Sequence, residues 1–539
     1  MQKKQFYIFL IICALLLINN WSIPLWDQDE AAYAGFGYTM CESGNWLVPN
    51  FMYSDVHRKP PLHFWNIAIS YKLFGYNEFA VRFPSFLAVL GTFLLMFFQG
   101  KKFLGQTYAF KGLMVIAGSF LVTAIAKISV TDATVLFTST LCAFGIINTL
   151  RNPSWQWIFL FWLGFALGTL TKGPPIIIFS ISFIALLAFL HPLRKNLLKL
   201  RPLFFLPFAL VPLFLWGYLT YLNDGGVFLS WMYDWYIVKR INGNVFGQTA
   251  PIGTHIVAIS IFFLSFFAYI PRALVAVTKK MLQKEEASVI LVAWFVAGWF
   301  LYEFSPSKLP AYVIVAHVPF AFIIALYLEN GIPFKTKFDK IFTGFHFFIQ
   351  FVAAIGLCIV PAILNFPSGV CVSAFVVGLF LLFITIFIIV KRNHPSLSRY
   401  QLIFTILFVL ASWSVVPQIS QLINSSKRVA DVIEKKVSPM GHVFIGRNYG
   451  NQPSLPFYLL NKGFTITDAT YFTNEQLFEA SKTKQLNIFV LSNEQYNYFC
   501  EQTSNKIKSE MVSTLIIDRV QKSDYYIVSS RDIPNNFAQ

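Results

Sequence analysis

Long apolar segments recur along this chain, most of them about 17–25 residues long and set off by shorter polar stretches. They predict thirteen membrane-spanning helices, at 5–25, 79–99, 107–126, 132–150, 155–171, 174–191, 202–222, 253–274, 288–304, 310–329, 341–363, 369–390 and 400–422. A helix rises about 1.5 Å per residue, so such runs match a hydrocarbon core of about 30 Å. The pattern changes after about residue 423. "HVFIGR", "NIFVLS", "TLIIDRV" and "YYIVSS" are short and rich in β-branched and aromatic residues, with helix-like stretches near 427–437 and 474–483. That alternation predicts a small α/β domain. The chain therefore divides into a membrane domain, 1–423, and an extracytoplasmic domain, 424–539. Loops 26–78 and 223–252 are long and aromatic, and are expected to hold short helices lying in the interface.

Composition agrees with that pattern. Of 539 residues, 56% are hydrophobic and 12% charged, where a soluble chain carries about 25% charged residues. This excludes a soluble enzyme with one anchor. The first run follows Lys3 and Lys4 and is not followed by an A-x-A-like cleavage site, so it reads as an uncleaved first helix. With Lys3 and Lys4 on the cytoplasmic side, the alternate loops gather Lys101, Lys102, Arg151, Arg194, Lys195, Arg272, Lys279 and Lys391. That matches the bias of cytoplasmic loops. The net charge of +17 thus marks topology and gives no reason to expect a nucleic-acid partner. An odd number of spans sends the C-terminus outside. Six scattered cysteines suggest no disulfide framework, although a Cys41–Cys500 bridge is conceivable from sequence.

The outer loops are poorer in cations, and three of their lysines share one context. "HRKPPLHFW" (57–65) places Arg58 and Lys59 before two prolines, "TLTKGPP" places Lys172 before Gly-Pro-Pro, and "SPSKLPAY" places Lys308 before Leu-Pro. Proline suits the first turn of a helix and the residue before it is extended. Each lysine is then expected at a helix start, where free N–H groups and a cation favour an anion. With Arg240 from another outer loop, these residues predict a phosphate site on a lipid headgroup or a lipid-linked substrate. The competing reading is that each lysine snorkels to bulk phospholipid.

Two carboxylate positions complete the candidate chemistry. "WDQDEAAYAGFGY" opens the first outer loop, and Asp27 with Glu30 has the D-x-x-E spacing of a capping box. Asp29 is not needed for that box and is left for chemistry. Asp132, in "KISVTDATVLF", sits at the outer end of a span, either as an N-cap with Thr131 or as a second acid facing the same cavity. His57, His63, His255 and His317 show no metal-ligand spacing, and His317 reads as a hydrogen-bonded bundle residue. No nucleotide-binding motif is present in the sequence.

These stretches resemble a known family. "DEAAYA" (29–34), "NWLVPNFMYSDVHRKPPLHFW" (45–65), "FGYNEFAVRFPS" (74–85), "TKGPP", "SPSKLPAYVIVAHVP" and "SLPFYLL" (454–460) are similar in order to the polyprenol-phosphate-sugar-dependent glycosyltransferases of the GT-C fold. The branch they resemble is that of the bacterial lipid A aminoarabinose transferases, relatives of the protein O-mannosyltransferases. The resemblance implies a polytopic GT-C membrane domain with an outer soluble domain, in the bacterial inner membrane with the C-terminal domain periplasmic. It implies transfer of a sugar from a polyprenyl-phosphate carrier to a lipid A-like lipid or a protein or glycan acceptor. One direct displacement needs no covalent sugar–enzyme intermediate, so inversion is expected, and the protein is expected to be a monomer. By that likeness the Asp29–Glu30 pair is catalytic, Asp29 is the principal carboxylate, and Asp132 lies near the acceptor. Lys59, Lys172, Arg240 and Tyr312 hold the donor phosphate, with Tyr33 helping.

There are departures. Ala32 stands where the branch has arginine, and Arg58 where it has glutamate. Relatives can bind a divalent metal through that glutamate and a histidine, but "MYDWYIVKR" (232–240) holds no histidine. No metal site is expected there. Two other classes compete: a transporter or flippase of lipid-linked anions, and a non-catalytic scaffold. Against the transporter stand the absence of visible repeats or broken helices and the clustering of charge at one face.

Overall fold

The computed structural model describes residues 3–239, 249–305, 308–391, 397–423, 426–437, 441–446, 452–483, 485–503, 507–516 and 521–533. They form two compact units. The first comprises residues 1–18, 59–63 and 82–415, and the second residues 19–58, 64–81 and 416–539. Residues 19–58 and 64–81 thus cluster with the C-terminal residues.

The first unit is a helical bundle. Among the described residues eight helices are long and apolar enough to cross a membrane, and ten if each of two bent pairs counts as one span. Trp155–Thr171 and Pro174–Leu190 are shorter apolar helices. This is a polytopic membrane fold, and it departs from the thirteen uniform spans in identifiable ways. The first helix, Lys3–Leu17, ends early, and Asn19 then takes a φ of 67°, which asparagine tolerates better than most residues. The buried Lys127 ammonium donates to the Leu16 carbonyl at 3.1 Å, satisfying the end of that helix. The third segment breaks into Gln106–Ala117 and Phe120–Lys127, bent by 69°, and the eighth into Thr254–Phe262 and Leu264–Leu282, bent by 110°. Broken helices are therefore present, and their expected absence no longer weighs against a transporter.

Close helix packing in this bundle depends on small residues. Gly145 lies against the backbone of Phe161, where an added Cβ would come within 2.7 Å. Trp294, fully buried, meets Phe144 edge-on with ring centroids 5.5 Å apart.

The second unit contains a five-stranded sheet of β1 (His442–Ile445), β2 (Thr465–Asp468), β3 (Asn487–Leu491), β4 (Ser509–Ile516) and β5 (Gln521–Ser529). Its order is β2-β1-β3-β5-β4. β1 pairs parallel with β2 and β3, and β5 pairs antiparallel with β3 and β4. The parallel pairs need crossovers, which Ser454–Asn461 and Asn474–Ser481 supply. Capping boxes at Thr473/Gln476 and Ser492/Gln495 start the helices Asn474–Ser481 and Asn493–Gln502. β2 is the strand that sequence reading did not anticipate, since "TITD" is short and half polar. The same unit holds the helices Asp29–Ser43 and, from residue 64 onward, most of Leu62–Phe74. All six cysteines are free, so Cys41 and Cys500 are not bridged.

Candidate functional site

A cavity of about 530 Å³ opens within the first unit. Lys59, Asp132, Lys172, Tyr302 and Tyr312 line its polar part, and Ile177, Leu213, Trp216, Met232 and Ile237 are among its apolar walls. The polar groups come from separate elements. Asp132 is in the first turn of Thr131–Arg151, and Lys172 is the C-cap of Trp155–Thr171. Tyr302 and Tyr312 belong to the 3₁₀ turns Phe300–Phe304 and Pro310–Ala316.

Local sequence explains the placement of Lys172. The two helices around it are separated by Lys172 and Gly173 alone, and Gly173 has a φ of 71°. Glycine takes that conformation without a Cβ clash, and Pro174 and Pro175 then occupy the first helical positions. The turn projects Lys172 toward Asp132, with Nζ 2.9 Å from Oδ1. The same ammonium sits 5.8 Å from the centre of the Tyr312 ring, within cation–π range. Asp132 is not the N-cap of its helix; Val130 holds that position without a side-chain cap bond.

His63 is buried in the same unit, and its Nε2 lies 3.2 Å from Ser129 Oγ. Burial first, then the Lys59 cation, holds the imidazole down at about 3, against an opposing pull from Asp132. It is therefore neutral at physiological pH, and adds no positive charge beside Lys59.

Other candidates fall elsewhere. Lys308 is 8% exposed and donates to the Ser305 carbonyl at 2.6 Å. It fastens its own loop and does not line the cavity. Arg240 lies outside the described residues. His317 is buried, with Nδ1 3.0 Å from the Val313 carbonyl, as a bundle residue would be. Among the described residues no three His, Cys, Asp or Glu side chains are grouped as metal ligands would be.

The second unit carries the remaining candidates. Asp29 opens the helix Asp29–Ser43. Its Oδ1 accepts from the Tyr33 hydroxyl at 3.0 Å and lies 3.0 Å from His57 Nδ1. The Asp29 side chain is still 56% exposed. Arg58 is held within its loop by Asp55 at 2.5 Å and Asn50 at 3.0 Å, and is not among the cavity-lining residues. The expected capping box does not form. Glu30, fully buried, accepts from the Trp26 N–H at 2.8 Å. Asp27 instead accepts from the Ser454 N–H at 3.0 Å and from the Ser454 hydroxyl. Burial pushes the Asp27 carboxyl up to about 6, against the Ser454 hydrogen bonds that favour its charge.

Sequence reasoning overlooked Tyr302 and gave Asp27 a purely local task. Tyr302 had a usable signal, since it lies three residues before "SPSKLP". The Asp27 contact had none, because its partner is 427 positions away.

The fold is that of a polytopic membrane protein, and it matches a solved structure over nearly its whole length. The crystal structure of ArnT from Cupriavidus metallidurans bound to undecaprenyl phosphate superposes with a TM-score of 0.74, covering 98% of both chains at 16% identity. The chain resembles the bacterial aminoarabinose transferases. It is 26% identical over 385 residues to undecaprenyl phosphate-alpha-4-amino-4-deoxy-L-arabinose arabinosyl transferase 2 of Proteus mirabilis, covering 66% of this chain and 66% of that protein. A transferase of the same name from Edwardsiella ictaluri is 27% identical over 332 residues, covering 59% of each. The matches thus span about three fifths to two thirds of these curated relatives. Residues 58–217 also match the family model of dolichyl-phosphate-mannose-protein mannosyltransferases.

Proposed function

We propose that this protein is a membrane glycosyltransferase that moves one sugar from a polyprenyl-phosphate carrier to an acceptor at the outer face of the membrane. In this reading it lies in the bacterial inner membrane, with the C-terminal domain in the periplasm. The observation that carries it is the cavity in which Lys59, Lys172 and Tyr312 meet an apolar wall. Such a site suits a phosphate joined to a long hydrocarbon. An open apolar groove on the helix Pro202–Asp224 shares Leu213, Trp216 and Leu229 with the cavity, and suits the tail. The likeness to transferases named for an undecaprenyl-phosphate donor supports the same reading.

In the proposed reaction the bond from the anomeric carbon to the phosphate oxygen breaks. That oxygen keeps the electron pair, so charge builds on the departing polyprenyl phosphate. Lys59 and Lys172 stabilise that charge, and they do so strongly in a cavity with little water. The acceptor oxygen attacks from the opposite side, which inverts the anomeric centre. If the acceptor is a hydroxyl, its proton passes to a carboxylate base, the role that the family resemblance gives to Asp29. Tyr33 and His57 hold Asp29 in orientation. Asp132 holds Lys172 in place through their ion pair. The acceptor is a lipid A-like glycolipid by analogy with the aminoarabinose transferases that the chain resembles.

The experiment compares envelope lipids and secreted proteins, by mass spectrometry, from cells with the gene, without it, and with Asp29→Asn. A sugar mass lost in both altered strains supports the proposal and identifies the product. Unchanged spectra in both would refute it.

A further inference from the structure

We infer that Asp27, Ser454 and Tyr458 form a latch by which the C-terminal α/β domain positions the segment bearing Asp29. They are positioning residues, and none of them is assigned contact with substrate. The inference rests on the proposed role of Asp29 in transfer.

The geometry is specific. Ser454 is the first residue of the helix Ser454–Asn461, and its N–H and hydroxyl both engage the Asp27 carboxylate. Its hydroxyl oxygen also lies 2.7 Å from Ser426 Oγ, at the start of the helix Ser426–Lys436. One turn further along, the Tyr458 hydroxyl accepts from the Leu25 N–H at 2.8 Å and donates to Glu78 at 3.2 Å. Lys427 pairs with the same Glu78 carboxylate. The segment 25–27 is therefore held at two points by one helix face, since positions 454 and 458 are one turn apart. Ser454 and Tyr458 are both buried, so these hydrogen bonds do not compete with bulk water and are costly to leave unmade.

The segment they hold leads directly into the candidate chemistry. Trp26 N–H donates to Glu30, and the Ala31 and Ala32 N–H groups return to the Trp26 and Gln28 carbonyls. Asp29 sits inside this closed turn. A displacement of residues 25–27 would turn the first residues of Asp29–Ser43, and with them the carboxylate that Tyr33 and His57 orient. A misplacement of about 1 Å at a reacting group is enough to cost about a hundredfold in rate. The motif "SLPFYLL" contributes both latch residues, which gives it a reason to exist in a domain remote in sequence from Asp29.

The test uses the full-length protein in detergent and in liposomes, with Ser454→Ala, Tyr458→Phe and the conservative Ser454→Thr. Hydrogen–deuterium exchange follows the amides of residues 25–34. Transfer from a short-chain polyprenyl-phosphate sugar gives kcat and donor KM. The latch predicts faster exchange at 25–34 in Ser454→Ala and Tyr458→Phe. It predicts kcat reduced about tenfold or more, donor KM within about twofold, and recovery of both readouts in Ser454→Thr. Unchanged exchange at 25–34 would overturn the latch even if the enzyme is active. Faster exchange with unchanged kcat would overturn its positioning role. If wild-type protein transfers no sugar, the proposed function fails, and the exchange result still decides whether the latch exists.

Discussion

Replacing Lys172 with methionine removes one cation from the cavity while keeping most of the side chain's volume. Its ammonium is 2.9 Å from Asp132 and 5.8 Å from the Tyr312 ring centre. Two costs follow, and they separate experimentally. The first is structural: Asp132 loses its partner, and its side chain is 17% exposed. Breaking a fully buried pair costs about 3–5 kcal/mol. With both partners near one-fifth exposed, solvent screening brings that to about 1–2 kcal/mol. Asp132→Asn in the same molecule should recover most of it. The second cost is chemical. A preorganised donor facing the charge that develops in transfer is worth about 3–4 kcal/mol, or about 10²–10³ in kcat. This cost should persist in the double variant, because neutralising Asp132 supplies no cation to the leaving phosphate. The assay is transfer in liposomes across a donor titration, with thermal unfolding in detergent run in parallel. Stability recovered by the double variant, with kcat still down at least a hundredfold, is the expected pattern. If the double variant also recovers full turnover, Lys172 serves only to balance Asp132, and the phosphate-site reasoning is wrong.

Asp29→Asn should abolish transfer while leaving the affinity for polyprenyl phosphate within about threefold, measured by tryptophan quenching. Gly173→Ala places a Cβ at a φ of 71°, which costs about 1–2 kcal/mol. It should lower the thermal midpoint and weaken donor binding through the displaced Lys172, both read in detergent. Asp27 carries a pH signature. Its folded-state value of about 6 lies above the ordinary 3.8, so the folded protein binds this proton more tightly than the unfolded chain. The Asp27 contribution to stability therefore falls as pH rises from about 4 to about 6, by about 3 kcal/mol at most, and is level above. Thermal midpoints at pH 4.5 and 7 should show this slope in wild type, and Asp27→Asn should flatten it.

Much of the membrane fold is legible in hydropathy, because hydrocarbon admits backbone polar groups only when they bond internally. The helix breaks are less so. Gly118–Ser119 and Phe263 interrupt apolar runs without a charge or proline to mark the place; the Gly/Ser pair is a weak kink signal, and Phe263 carries none. Lys59 and Lys172 are readable from lysine before proline, because proline and glycine fix the local backbone whatever surrounds it. Lys308 has the same sequence context but meets the Ser305 carbonyl, so the motif sets a backbone position without setting the direction of the side chain. The D-x-x-E spacing at Asp27 and Glu30 fails for a related reason. It describes a local competition, and Ser454 wins Asp27 through a tertiary contact that no window of sequence contains.

The central claim is that the cavity around Lys59 and Lys172 receives the phosphate of a polyprenyl phosphate. Photo-cross-linking addresses it directly. Undecaprenyl phosphate carrying a diazirine on its first isoprene unit is incubated with the purified protein, irradiated and mapped by peptide mass spectrometry. The account predicts adducts on cavity-wall peptides containing Leu213, Trp216, Met232 or Ile237. It also predicts that these adducts are suppressed by unlabelled undecaprenyl phosphate and lost in a Lys59→Met, Lys172→Met double variant. Adducts confined to other peptides, or undiminished in that variant, would contradict it.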